Sequence, residues 1–246
     1  MSVFRAIVFS AVVAGAIVGA VVTVAQQFGT VPLILKGEVY ERAADEAAQS
    51  AQPTPAAHEH ADHQHNETAW EPKEGFERNA FTAAANILTA IGFALLLGGI
   101  FALRARAVTW YEGLLWGLAG FITFTVAPGL GLPPELPGVP AAALGERQVW
   151  WVATAAATAV GLALLFLRRS PWAAVLGLCL IALPHLIGAP QLEHVHTDVP
   201  EALSRNFVGI VTLTSLLFWA LLGSLTGIAY RHFSTSQNKG ARALSG

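Results

Sequence analysis

Four of the eight histidines in this 246-residue chain lie in one short stretch, HEHADHQH. They are His58, His60, His63 and His65, with acidic residues between them. Neutral imidazole is a common ligand of divalent transition metals, and short histidine-rich tracts are typical of metal binding. We therefore predict that this tract captures metal. The alternatives are a proton buffer and a compositional accident.

The tract is predicted to have little selectivity among metals. It lies within residues 49–75, which are rich in Pro, Ala, His and Glu and show no apolar periodicity, so we expect a flexible loop. Without a fixed geometry, affinity should follow the general series in which copper exceeds nickel, cobalt and zinc. The tract is thus predicted to gather ions, whereas the selective transport site lies elsewhere.

A second constellation lies in LPHLIGAPQLEHVHTD, residues 183–198. His185 lies inside an apolar run, where ionisable residues are costly and usually mark a functional site. Pro184, Gly188 and Pro190 are expected to break or kink the helix and free backbone carbonyls to line a cavity. The polar residues that follow add nitrogen and oxygen ligands: Glu193, His194, His196 and Asp198. We predict a metal site near His185; the alternative is an interfacial histidine followed by an ordinary polar loop.

Three other polar sites are weaker candidates. Glu135 lies in APGLGLPPELPG (127–138), which predicts either a re-entrant turn carrying a carboxylate or a proline-rich loop. Glu38 forms a cluster with Gln26 and Gln27 at the outer end of the first apolar run, where interfacial solvation explains all three residues equally well. Asn86 is either a pore ligand or the donor of an interhelical hydrogen bond.

The composition indicates a membrane protein. Hydrophobic residues make up 54% of the chain and charged residues only 12%, against about a quarter charged in soluble domains. The net charge of −2 and the absence of a basic stripe argue against a nucleic-acid partner. No phosphate loop, HExxH motif or nucleophile elbow is present, and Cys179 has no activating base nearby in sequence, so we predict no enzymatic activity and no prosthetic group.

The apolar runs predict an all-α polytopic fold in the lipid bilayer, with about six transmembrane helices in a single domain of residues 1–246. Each run is close to the ~20 residues that cross a hydrocarbon core. The first is too long for the apolar region of a signal peptide, so we expect it to be retained. The predicted spans are 6–26, 80–103, 113–132, 148–167, 172–189 and 207–230.

Basic residues predict an orientation with both termini inside. Arg5, Arg104, Arg106, Arg168 and Arg169 then fall in short cytoplasmic segments, as the positive-inside rule requires. All acidic residues except Glu112 fall outside, and the histidine-rich loop becomes periplasmic. Some basic residues depart from the pattern and fall outside: Lys36, Arg42, Lys73, Arg78, Arg147 and Arg205.

Spaced glycine pairs predict close helix packing. Small residues four apart let helix backbones approach in membranes, although glycine is common there in any case. The pairs are Gly15 and Gly19, Gly113 and Gly117, and Gly223 and Gly227.

The chain resembles a known family over nearly its whole length, the predicted cobalt transporter subunit CbtA. The blocks that carry the resemblance are QQFGTVPLILKGEVYE (26–41), the histidine-rich tract, ERNAFTAAANILTAIGFALLL (77–97), GLLWGLAGF (113–121), PGLGLPPELPG (128–138), RQVWW (147–151) and ALPHLIGAP (182–190). The resemblance implies a bacterial inner (cytoplasmic) membrane protein that imports Co²⁺ and is associated with cobalamin biosynthesis. It also implies a small partner, CbtB, with one transmembrane span and a histidine-rich end.

The family's motif positions match at Glu38, Glu135, His185 and the 58–65 tract, whereas the EHVH segment after GAPQ is variable. Cobalt itself follows from the resemblance, because the residue spacing supports only a divalent transition metal. The alternatives are a transporter of Ni²⁺ or Zn²⁺ and a membrane metal-binding or sensor protein that transports nothing.

Overall fold

The computed structural model describes residues 3–51, 72–73, 75–104, 106, 108–192 and 197–243. Within these ranges the chain forms helices joined by turns and loops, with no strand. The elements are α1 Val3–Phe28, α2 Val31–Ala51, α3 Phe76–Arg104, α4 Trp110–Phe121, a π-helical segment Ile122–Val126, α5 Ala127–Gly131, α6 Leu144–Leu167, α7 Pro171–Ile187 and α8 Glu201–Ala243.

The predicted all-α polytopic fold is confirmed. Among the described residues, five helical stretches are long and apolar enough to cross a membrane: α1, α3, the continuous helix Trp110–Gly131, α6 and Glu201–Thr235 of α8. The sixth predicted span corresponds to α7, which is apolar but has 17 residues. At 1.5 Å per residue it is about 25 Å long, somewhat short of a 30 Å hydrocarbon core. The count of six and the inward termini stay predictions.

Glu112, the one acidic residue predicted on the inner side, caps the start of α4. Glu112 lies in the first turn of α4, where its carboxylate accepts a hydrogen bond of 2.9 Å from the Thr109 backbone N–H. The Thr109 hydroxyl in turn accepts one of 3.1 Å from the Glu112 N–H. This reciprocal capping box satisfies backbone donors that have no partner within the helix.

The predicted glycine faces lie at helix crossings. A Cβ atom added to Gly113 would lie 2.3 Å from the Gly223 carbonyl oxygen, so α4 and α8 touch backbone to backbone. Gly15 and Gly19 of α1 press equally closely on Ile91 and Ile87 of α3, respectively. Dispersion contacts and small residues drive helix association in lipid, so these crossings hold the helices in register.

A similar crossing between α6 and α7 was not predicted. A Cβ atom on Gly161 would lie 2.6 Å from the Gly177 carbonyl oxygen. Neither glycine has a second glycine four residues away, so the glycine pairs that predict the other crossings are absent from both helices. They nevertheless hold α6 and α7 together as an antiparallel hairpin.

Helices α1, α3, α4 and α8 form one packed unit. Phe101 and Leu222 are fully buried in its core, and the rings of Phe124 and Trp219 stack with their centroids 5.5 Å apart. The α6–α7 hairpin joins this unit chiefly through the π-helical segment and α5. The irregular segment is therefore the main connection between the two parts.

Pro128 explains the π-helical segment. Proline has no N–H, and its ring clashes with the carbonyl four residues earlier. Here the preceding turn is widened, and the Ala127 N–H bonds the Ile122 carbonyl five residues back. The helix then continues to Gly131, and residues 132–143, which include Glu135, form a loop before α6.

Substitution of one crossing glycine by alanine tests the backbone contact. We expect Gly113→Ala to lower the free energy of unfolding by about 1–3 kcal/mol, because its methyl group collides with backbone that cannot rotate away. The midpoint of thermal unfolding in detergent measures the effect. Gly92→Ala is the matched control, since a Cβ atom at Gly92 meets no atom within 4 Å. Equal midpoints for the two variants would contradict the prediction.

Candidate metal site

The helix directions bring the described candidate ligands to one end of the molecule. Successive long helices are antiparallel, so the last turns of α1, α5 and α7 lie beside the first turns of α3, α6 and α8. We call this the site end. His185 lies in the last turn of α7, Glu135 lies in the loop after α5, and Glu38 lies on α2.

Helix α2 packs against the site end through a small apolar cluster. Its position is fixed at Gly37, where an added Cβ atom would lie 3.2 Å from the Pro137 carbonyl oxygen. Glu38 is therefore carried next to the loop that contains Glu135. The cluster consists of Leu33, Ile34 and Tyr40 of α2 with Leu136, Val139, Val199, Leu203, Phe207 and Val211.

His185 is held between α7 and α6. Its ring meets the Trp150 ring edge-on, with centroids 5.9 Å apart, and the Trp150 Nε1–H donates a 3.2 Å hydrogen bond to the Pro184 carbonyl. The Nε2 atom of His185 is buried and has no hydrogen-bond partner among the described residues. Since most buried polar atoms are hydrogen-bonded, this nitrogen is an exception that needs an explanation.

The expected break in the helix lies three residues after His185. Pro184 is accommodated within α7, which ends at Ile187 where Gly188 adopts a φ of 90°. That left-handed conformation strongly favours glycine. Proline still weakens the last turn, because the Leu180 carbonyl receives no hydrogen bond from residue 184.

Glu135 is bound by an arginine. Arg147, in the first turn of α6, donates a 2.7 Å hydrogen bond from one terminal nitrogen to the Glu135 carboxylate. Both side chains are about three-quarters buried, with exposures of 28% for Glu135 and 27% for Arg147. The guanidinium is not fully satisfied, because its Nε is buried without a partner in the described part of the chain.

Glu38 is also bound by arginines. Arg78 of α3 donates a 2.5 Å hydrogen bond to it, and Arg42 lies 3.9 Å away along α2. The Glu38 side chain is 18% exposed, so the pair is largely shielded from solvent. Both predicted carboxylate ligands are thus neutralised by arginines.

Two hydrogen bonds attach the segment after α7 to the end of α5 and to the loop that contains Glu135. Gln191 donates through Nε2 to the Gly131 carbonyl, and Thr197 donates through its hydroxyl to the Gly138 carbonyl, each at 2.8 Å. Their acceptors lie on either side of Glu135 in the sequence. Beside them is a cleft of about 210 Å³, lined by Glu135, Gln191 and Ser204 together with prolines and apolar side chains.

The structure does not describe most of the other predicted metal ligands. His58, His60, His63 and His65, and also Glu193, His194 and His196, lie outside the described residues. Asp198 is described and is exposed. Among the residues that the structure does describe, no three His, Cys, Asp or Glu side chains lie close enough together to hold a metal ion.

Asn86 links two helices instead of lining an open path. Its Nδ2 donates to the Thr23 hydroxyl at 3.0 Å and to the Gln26 side-chain oxygen at 2.7 Å, both on α1. The interhelical hydrogen bond, one of the two sequence-based alternatives, is therefore confirmed.

Sequence reasoning missed the roles of Arg147 and Trp150. Trp150 is only 8% exposed, and its ring packs on His185. The signal for Arg147 was present as a departure from the positive-inside pattern. Arg78 departs in the same way, and each of these arginines pairs with a predicted carboxylate ligand.

Comparison with known proteins gives one family. The family described as "Probable cobalt transporter subunit (CbtA)" matches residues 4–231, which include every described residue of the site end. Comparisons with curated proteins and with solved structures found no match. Since the match extends over most of its length, the chain belongs to the CbtA family of probable cobalt transporter subunits.

Proposed function

We propose that this chain is the membrane-spanning part of a Co²⁺ importer, and that the ion passes through a site near His185. The observation that carries the proposal is the buried Nε2 of His185 between α6 and α7, which has no hydrogen-bond partner among the described residues. Leaving a buried polar atom unsatisfied costs about 1–3 kcal/mol, so such an atom is retained where it serves a purpose. Imidazole nitrogen is a suitable ligand for Co²⁺, Ni²⁺ and Zn²⁺ alike.

Further ligands are available from the segment that follows α7. Within this segment Gln191 bonds to Gly131 at the end of α5, and Thr197 bonds to Gly138 in the loop that contains Glu135. We assign Glu193, His194 and His196 as ligands that complete the coordination begun by His185 and Glu135. Glu38 then provides a second carboxylate on the neighbouring α2.

The histidine-rich tract is assigned to capture. His58, His60, His63 and His65 raise the local metal concentration next to the site end, while acidic neighbours supply negative potential. Capture of this kind needs no fixed geometry, whereas selection does. The tract therefore changes the metal concentration at which transport saturates.

Inward movement can be driven by the membrane potential. With the termini inside and the site end outside, an entering dication gains about 4.6 kcal/mol at 100 mV, twice the 2.3 kcal/mol of a single charge. The family description as a subunit implies a partner. We assign that role to a small one-span protein with a histidine-rich end, in a bacterial inner membrane and in the supply of cobalt for cobalamin synthesis.

Replacement of His185 by phenylalanine tests the ion path. We expect His185→Phe to abolish uptake of radioactive cobalt into cells, because the ring contact with Trp150 is kept while the nitrogen ligand is lost. His232→Ala is the control, since that exposed histidine lies near the opposite end of α8. Normal uptake by the His185 variant would exclude His185 as a ligand on the path. Cobalt binding without cobalt uptake by the wild type would favour a sensor or storage protein. Faster uptake of Ni²⁺ or Zn²⁺ than of Co²⁺ would identify that metal as the transported ion.

Deletion of residues 56–67 tests the capture role. We expect the concentration for half-maximal cobalt uptake to rise several-fold while the maximal rate is unchanged, since the tract binds ions and does not conduct them. The measurement is the initial uptake rate over a range of cobalt concentrations. A deletion variant without uptake at saturating cobalt would show that the tract belongs to the transport site itself.

A further inference from the structure

Arg147 lies between two clefts at the site end. On one side its guanidinium binds Glu135, which lines the 210 Å³ cleft next to Gln191. On the other side, Arg147 itself lines a second cleft of about 260 Å³ together with Leu132, Leu144, Gln148, Trp151 and Val152. The Arg147 guanidinium is thus bound to the Glu135 carboxylate, and the second cleft lies next to the Arg147 side chain.

Two of the residues that line that cleft, Trp151 and Gln148, can bind a guanidinium. Trp151 follows Arg147 by four residues on α6, so their side chains lie on the same helix face. An arginine over an indole face gains a cation–π attraction, and the Gln148 amide oxygen can accept a hydrogen bond. The Nε of Arg147, which is buried without a partner in the described residues, leaves the present position incompletely satisfied.

We propose that Arg147 is an internal competitor of the transported cation. Its guanidinium neutralises Glu135 when no metal is bound, and it moves into the cleft beside Trp151 when a divalent ion binds the carboxylate. This inference rests on the proposed function, in which Glu135 is a metal ligand, and adds a residue that determines specificity.

The competition discriminates by charge. A tethered guanidinium is always present at high effective concentration, so a monovalent ion in solution gains little by displacing it. A dication interacts with the same carboxylate twice as strongly as a single charge at the same distance. Arg147 therefore excludes sodium and potassium from Glu135 while admitting a divalent metal.

Burial separates this pair from an ordinary surface ion pair. The Glu201–Arg205 pair in the first turns of α8 has exposures of 81% and 70%, so solvent screens it strongly. The Glu135–Arg147 pair is about three-quarters buried, where the attraction is screened less. Arg205 is accordingly the matched control for Arg147.

The test is a titration of the purified full-length chain with CoCl₂ by isothermal calorimetry, with and without 150 mM KCl. We expect Arg147→Gln to tighten cobalt binding about tenfold, because no charge-assisted hydrogen bond has to be broken first. We also expect potassium to weaken binding in this variant more than in the wild type. Arg205→Gln should match the wild type, and the added change Glu135→Gln should remove the gain.

A second variant decides the matter if Arg147→Gln fails to fold. Arg147→Lys keeps the charge but loses the planar fork, so we expect cobalt binding tighter than in the wild type by a smaller factor. Unchanged or weaker cobalt binding in the folded Arg147 variants, with measurable binding in the wild type, overturns the role of Arg147 alone. The absence of cobalt binding in every variant, together with no uptake by cells, overturns the proposed function as well.

Discussion

The structure depends on one constraint, which is that the interior of a bilayer offers polar groups no water. Every backbone and side-chain polar group must find a partner within the protein. Helices satisfy the backbone, and buried hydroxyls bond back to carbonyls one turn earlier, as Ser10 does to Ala6 and Thr154 to Trp150. The Asn86 side-chain amide on α3 donates a hydrogen bond to Thr23 on α1, and the Glu112 carboxylate accepts one from the backbone N–H at the start of α4.

Against this background the unsatisfied atoms are informative. In the described part of the chain they are the Nε2 of His185, the Nε of Arg147, and the hydroxyls of Thr158 and Thr226. Two of the four belong to the site end. His185 contacts the Trp150 ring, and Arg147 lies about one turn before Trp150 on α6. A neutral imidazole nitrogen without a partner among the described residues can bind a metal ion, whereas the Arg147 Nε–H is a hydrogen-bond donor on a positively charged group.

The general architecture could be predicted from the sequence because its determinants are local. Long apolar runs, glycine spacing and the N-terminal position of Glu112 each follow from neighbouring residues. The roles of Arg147 and Trp150 could not be predicted, because they depend on which helices meet. Arg147 finds Glu135 across a loop, and Trp150 reaches Pro184 on another helix. The glycines of the α6–α7 crossing were missed for the same reason.

The π-helical segment lets one continuous helix pack against two different helices. One extra residue in a turn rotates everything that follows by about 100° relative to an uninterrupted α-helix. Before the segment, Gly113 faces α8; after it, Gly131 faces α6, where an added Cβ atom would lie 2.3 Å from the Trp150 ring. The proline that forces the wide turn thus sets the direction of the last turn of the span. As a result, the last turn of the helix packs against Trp150, which contacts His185, and the loop that carries Glu135 begins at the same place.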